Sequence, residues 1–377
     1  MEPTSSLLIV VLLGGCGGLL VLVVRLKRWA VKAVCGASVI MLATLIGVAE
    51  VNNYYGYYTS WGPLFNDLAG NRQALGLTSA TVQVRSHEAL AGTVQQIVLP
   101  GARSKINRTG LIYLPPQYHK PSLSHTRFPV VELLHGSPGK PANWVVTLKV
   151  ARIADELISR HLMGPLVLVM PSINAGHHYQ ECVNGSAAAD DTYLATDVPN
   201  DVRAHFRVSR VPAEWGLAGY SSGGYCAANL SLRHRSAYGA AAILDGYYRA
   251  ADGAAALALG NNRQALTANS PLDVARRLPA GTQPLPAYWI EAGTGANGDY
   301  LRARDFIAAM KNLEQVSFVV EPRAGHNFYA WSAALPSMLA WMWQRLAPPT
   351  LRTTFPIAGP PTSVQVPPLL PPRPGHG

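Results

Sequence analysis

The chain predicts an α/β fold, a mostly parallel sheet with helices on both faces, preceded by an N-terminal transmembrane helical hairpin. Three observations carry this. Short β-rich runs alternate with helical stretches through the middle of the chain, the pattern of strands joined by crossover helices. Two long apolar runs stand at the amino end. A Gly-x-Ser-x-Gly sequence sits where one β-rich run gives way to a helical one, as in a sharp strand–turn–helix elbow.

Residues 6–24 are almost entirely apolar and residues 33–49 form a second such run, each close to the ~20 residues that a helix needs to cross a bilayer. Between them Arg25-Leu26-Lys27-Arg28-Trp29-Ala30-Val31-Lys32 carries four positive charges, which the positive-inside rule assigns to the cytoplasm. Residues 1–50 therefore read as two membrane helices whose outer ends face away from the cytoplasm. A cleaved signal peptide is the competing reading of the first run, although Met1-Glu2-Pro3-Thr4-Ser5 lacks the usual basic residues. Neither run has a polar face at helical spacing, as a pair of soluble core helices would. Residues 51–92 form a juxtamembrane linker. Its aromatic cluster, Asn52-Asn53-Tyr54-Tyr55-Gly56-Tyr57-Tyr58-Thr59-Ser60-Trp61, suits either the membrane interface or packing on the domain that follows.

Residues 93–347 hold the α/β domain. Strands are expected at 93–99, 110–114, 130–134, 166–170, 215–218, 241–244, 287–291 and 316–321, the first two as an antiparallel edge. Helices are expected at 142–161, 198–206, 224–235, 300–315 and 331–346, and residues 250–270 as part of a lid or rim. In such a sheet the ligand site lies at the carboxyl ends of the strands. Residues 348–377 repeat Pro-Pro pairs and are expected to be extended or disordered.

The net charge is +10, yet basic residues beyond the hairpin are scattered, with neither the stripe nor the reading motif of a nucleic-acid binder. Cys16 and Cys35 lie in the apolar runs as small apolar residues. Cys182 and Cys226 lie in the outer domain, where an extracytoplasmic compartment permits a disulfide between them.

The elbow is Trp215-Gly216-Leu217-Ala218-Gly219-Tyr220-Ser221-Ser222-Gly223-Gly224, which makes Ser221 the candidate nucleophile. A serine hydroxyl needs a histidine base oriented by a carboxylate, and in this architecture the chain order is Ser, then Asp or Glu, then His. Asp299, after a strand and a glycine-rich loop, fits the acid; capping the helix from Tyr300 is its ordinary alternative, with Glu291 the fallback acid. His326, after Gly325 at a strand end, fits the base. The loop His135-Gly136-Ser137-Pro138-Gly139 follows another strand and is placed to supply one oxyanion N–H, Ser137 in preference to Gly136, with Ser222 supplying the other. His177, His178 and Glu181 match no zinc spacing and are expected at the rim of the site. No metal or cofactor is called for.

Taken together, Leu133-Leu134-His135-Gly136, Thr192-Tyr193-Leu194-Ala195-Thr196-Asp197-Val198-Pro199, the elbow, the loop 293–299, and Gly325-His326 with Trp331 resemble the putative-esterase family of α/β-hydrolases. That family includes S-formylglutathione hydrolases (the esterase D type), enterochelin esterases and antigen 85 type mycolyltransferases. The resemblance spans residues 95–346. It implies the α/β-hydrolase fold, Ser221, Asp299 and His326 as nucleophile, acid and base, and Ser137 and Ser222 as oxyanion donors. His135 departs from the acidic residue of the mycolyltransferases, and the hairpin looks more like membrane-anchored esterase-like proteins of actinobacterial type. The expected protein is a multi-pass cell-membrane serine esterase or acyltransferase with its catalytic domain outside the cytoplasm. Its substrate would be an acyl ester, lipids and glycolipids included. The other class kept open is a non-catalytic envelope protein that binds carbohydrate, lipid or a protein partner on the same fold.

Overall fold

The computed structural model describes residues 2–25, 27–58, 61–68, 91–173, 179–279, 281–295, 298–311 and 315–357. The chain divides into two compact units, residues 1–78 with 327–329 and the remainder.

In the first unit the helices Ser6–Arg25 and Trp29–Tyr55 pack along one another. Both are long and apolar enough to cross a membrane. Leucines and valines such as Leu7, Val10, Leu20, Val34 and Val48 remain exposed around them, the distribution of a helix whose surroundings are apolar. The second helix runs six residues past the expected 49, so that Tyr54 and Tyr55 form its last turn. It stops at Gly56, whose left-handed backbone (φ 70°) lets its N–H donate to Asn52 O at 2.7 Å.

The second unit is built on one eight-stranded sheet. Its strands are β1 (Thr93–Pro100), β2 (Asn107–Leu114), β3 (Val130–Leu134), β4 (Val167–Met170), β5 (Trp215–Tyr220), β6 (Ala240–Leu244), β7 (Ala287–Gly293) and β8 (Val316–Glu321). The order is β1-β2-β4-β3-β5-β6-β7-β8. β1 and β2 pair antiparallel at one edge, as expected, β2 meets β4 antiparallel, and every later pair is parallel. The central strands read as unbroken buried runs because helices cover both faces of the sheet. Gly216 in β5 is what lets the helix Phe328–Leu346 lie close: a Cβ there would stand 2.9 Å from both Leu346 Cδ1 and Met342 Cε.

Register positions the site. Leu134 pairs with Gly219, Gly219 with Ile243, Ile243 with Ile290, and Ala292 with Val320. The carboxyl ends of β3, β5, β6, β7 and β8 therefore lie side by side, and the chain that leaves each of them contributes to one cluster.

Several expectations change, and the helix expected at 300–315 is Asp299–Ala309. The helix over 142–161 is two, Ala142–Val146 and Val150–Ser159, broken where Lys149 takes a left-handed backbone at φ 56°. The helix Val198–His205 is preceded by Asp190–Thr192 and a wide π-helical turn over Tyr193–Asp197. The tail is not extended from Pro348: Pro349–Thr354 is helical, and residues 358–377 lie outside the described residues. The insertion 250–270 folds as Ala250–Asp252, Ala255–Ala258 and Arg263–Ala268, the last capped by Asn262, whose side chain accepts the Ala265 N–H at 3.0 Å.

Candidate active site

Ser221 is the single residue between β5 and the helix Ser222–Arg233. Its backbone stands at φ 55°, ψ −122°, a region costly to a residue with a side chain and kept only where the surroundings enforce it. The enforcement comes from close backbone packing. A Cβ on Gly219 would lie 2.1 Å from Gly223 O, and one on Gly223 would lie 2.1 Å from Leu134 O. The Ser221 N–H donates to Leu244 O at 2.9 Å, which ties the turn to the end of β6.

The hydroxyl so presented meets His326, whose Nε2 is 2.9 Å from Ser221 Oγ. Its Nδ1 is 3.0 Å from Asp299 Oδ2, and the other carboxylate oxygen of Asp299 accepts from Arg302 Nη1 at 3.1 Å. With Nδ1–H directed at the carboxylate, Nε2 is left free to accept the serine proton. Asp299 is the first residue of the helix Asp299–Ala309, but Gly298 occupies the cap position, and the carboxylate turns to His326 rather than to the helix end. Glu291, the fallback acid, is interior to β7; burial and then Asp245 hold its carboxyl well above the usual range.

On the other side of the serine, the loop after β3 passes against it. A Cβ on Gly136 would lie 2.6 Å from the Tyr220 ring and 3.2 Å from Ser221 Cβ. His135 holds that loop: it is fully buried, its Nδ1–H donates to Gly136 O at 2.9 Å, and its Nε2 accepts the Ile173 N–H at 3.2 Å. Burial lowers its pKa to about 4, so the ring is neutral and its tautomer is set by the two partners. Ser137 is exposed and Ser222 buried. The hydroxyl of Tyr179 donates to Ser222 Oγ and also engages the Ser137 side chain, so one tyrosine spans both proposed oxyanion residues.

Glu181 and Asp245 differ from, or go beyond, what the sequence indicates, whereas the disulfide it permits is formed. Glu181 is not a rim group: it is buried, Tyr247 donates its O–H to Oε1, and the Ala255 N–H donates to Oε2 at 3.0 Å. His177 and His178 lie outside the described residues. Cys182 and Cys226 are paired, their Cα atoms 5.5 Å apart, and the bridge ties the segment after Tyr179 to the helix after Ser221. Asp245, which the sequence reading passed over, sits beyond the end of β6 at φ 43°. Its Oδ1 accepts the Gly293 N–H and its Oδ2 the Trp331 indole N–H, both at 2.9 Å. The sequence signal was the acid and glycine, Asp245-Gly246, at a strand's carboxyl end.

Donor atoms of Asp245, Asp299 and His326 lie within 4.8 Å of one another, near enough to converge on a cation. They are instead occupied with Gly293, Trp331, Arg302 and Ser221.

A strained elbow serine beside a histidine and an acid, at the carboxyl edge of a mostly parallel sheet, defines a serine ester hydrolase of the α/β-hydrolase class. Residues 102–342 match the model of the family described as putative esterase, and the chain belongs to that family. It is 26% identical over 332 residues to an uncharacterized protein of Corynebacterium glutamicum, Cgl0967/cg1104, spanning 82% of this chain and 77% of that one. Among solved structures, the fold is similar to that of a ferulic acid esterase (TM-score 0.58, 19% identity, 68% of this chain and 100% of that one). It is also similar to an S-formylglutathione hydrolase from Agrobacterium tumefaciens (0.56, 18%, 70% and 99%). A third is FphF, a fluorophosphonate-binding serine hydrolase of Staphylococcus aureus (0.56, 18%, 67% and 98%).

Proposed function

We propose that the protein is a membrane-anchored serine esterase or acyltransferase that works outside the cytoplasm through an acyl-enzyme on Ser221. The observation that carries the reading is the 2.9 Å contact of Ser221 Oγ with His326 Nε2, continued at 3.0 Å to Asp299. As Ser221 Oγ attacks the ester carbonyl, its proton passes to His326 Nε2, and the Asp299 carboxylate stabilises the imidazolium. The N–H groups of Ser222 and Ser137 accommodate the oxyanion, a contribution of about a hundredfold or more for each donor. His326 then protonates the departing alcohol. Water, or an acceptor alcohol such as a sugar or lipid hydroxyl, loses its proton to His326 and releases the acyl group, restoring Ser221.

Anchoring is supported by the two apolar helices and the basic residues Arg25, Lys27, Arg28 and Lys32 between them. The Cys182–Cys226 pair supports an oxidising compartment for the catalytic domain. The test is intact-mass spectrometry of the detergent-solubilised chain after exposure to a fluorophosphonate, with Ser221→Ala alongside. One adduct on the parent and none on the variant is expected. A folded parent that takes no label would shift the reading to a non-catalytic envelope protein. Topology is read separately, by whether a thiol reagent that cannot cross membranes reaches a cysteine placed in the 25–32 loop of intact cells; labelling there would overturn the assigned orientation.

A further inference from the structure

Asp245 is a buried carboxylate that the proposed reaction does not use. It leaves β6 in a left-handed backbone at φ 43°, although it is not a glycine, and such a conformation survives only where contacts enforce it. Both of its oxygens accept from groups that shape the site. Gly293 N–H, bonded to Oδ1, opens the loop that delivers Asp299; Trp331 Nε1–H, bonded to Oδ2, belongs to the helix that follows His326. The Trp331 ring stacks on Tyr220, the residue before the nucleophile, with centroids 4.6 Å apart. It also meets the His326 imidazole edge-on at 5.1 Å and 87°. One side chain thus joins the loop that carries the acid to the aromatic ring that walls the base.

We infer that Asp245 is a positioning residue of the hydrolytic site, holding His326 through Trp331 and the Asp299 loop through Gly293. The inference rests on the Ser221, His326 and Asp299 reading given above. Only a carboxylate meets the requirement at both oxygens. Both neighbours are donors, so an asparagine would turn its NH2 group toward one of them and leave that donor unpaired. The charge also matters, because an oxygen of Asp245 lies within 4.8 Å of Asp299 and His326 donor atoms. The titratable groups that face Asp245 are His326, Asp299, Glu291 and Tyr248, with Arg302 joined to Asp299. Of these, His326 is the one whose protonation gates attack.

The test is hydrolysis of p-nitrophenyl butyrate by the full chain in detergent, for the parent, Ser221→Ala, Asp245→Asn, Trp331→Phe and the Asp245→Asn/Trp331→Phe pair. Asp245→Asn is expected to lower kcat by about tenfold to a hundredfold with KM within about twofold, the pattern of lost transition-state organisation rather than lost binding. Trp331→Phe is expected to lower kcat in the same way. The double variant loses no more than the worse single one, as expected of residues that act through one contact.

An Asp245→Asn protein with parental kcat overturns the inference, and so do fully additive losses in the double variant. Should Asp245→Asn not fold, an unchanged kcat in Trp331→Phe overturns it. A parent no faster than Ser221→Ala overturns the nucleophile assignment and this inference with it, whereas an inactive Ser221→Ala beside a parental Asp245→Asn overturns this inference alone.

Discussion

The hydroxyl of Tyr179 donates a hydrogen bond to the hydroxyl of Ser222, the residue directly after the elbow serine. The same phenol engages Ser137, so it links the side chains of the two residues whose backbone N–H groups are proposed to bind the oxyanion. Tyr179→Phe is expected to lower kcat on a p-nitrophenyl ester by about tenfold, less than the hundredfold or more that follows loss of a donor itself. Steady-state kinetics read this directly. A kcat within about twofold of the parent would show that the loop after β3 is held without the phenol.

Asp299 has two partners of unequal worth. Asp299→Asn leaves a group of the same shape that no longer favours the imidazolium or the correct tautomer, and kcat is expected to fall by about 10³ to 10⁴. Arg302, whose side chain is 44% exposed, contributes an ion pair that solvent screens. Arg302→Ala is expected to change kcat by less than about tenfold. Equal losses in the two variants, measured side by side, would contradict the assignment of the acid.

His135 makes stability depend on pH. Its pKa falls from 6.5 to about 4 on burial, so the unfolded chain binds the proton more readily than the folded one. The contribution is complete above pH 6.5 and is lost as pH falls through about 4. Asp245 opposes it: raised from 3.8 to about 6 by burial, its neutral form is favoured by the fold, and it adds stability as pH falls from about 6. Comparison with His135→Asn separates the two. The variant is expected to be less stable than the parent at pH 7.5, with the gap narrowing by on the order of 3 kcal/mol by pH 4. Chemical unfolding followed by tryptophan fluorescence measures it; a gap that does not narrow would mean that His135 is protonated in the folded protein.

The bridge between Cys182 and Cys226 spans 44 residues. Loop-closure entropy gives such a link about 4 kcal/mol as an upper expectation. The Cys182→Ala/Cys226→Ala protein is expected to lose about 2–4 kcal/mol in chemical unfolding, and added reductant should lower the stability of the parent but not of the variant.

Much of this was legible because the sequence is locally consistent. Val130–Leu134 and Val316–Glu321 have their observed bounds in the sequence pattern, since apolar runs there end abruptly at a glycine or a turn. Ser221 and His326 were legible for the same reason, each following a well-marked strand. The break at Lys149 was not, because no glycine or proline announces it and tertiary packing imposes the left-handed backbone. Tyr179 lies in a segment without periodicity, so no pattern could aim its hydroxyl. Glu181 reads from the sequence as a group at the rim of the site, with His177 and His178; that Tyr247 and Ala255 bond it in the interior is a long-range fact. Asp245 followed an alanine-rich strand as an ordinary turn acid, and only the fold brings Trp331, 86 residues later, to its second oxygen.

The Cys182–Cys226 bond also closes a ring of chain, and Ser221 lies inside it. A protease that cuts once anywhere between the two cysteines produces a nicked molecule whose halves remain covalently joined. The two fragments would separate only after reduction. A single backbone cleavage in that ring therefore leaves the segment that carries Ser221 covalently joined to the rest of the chain.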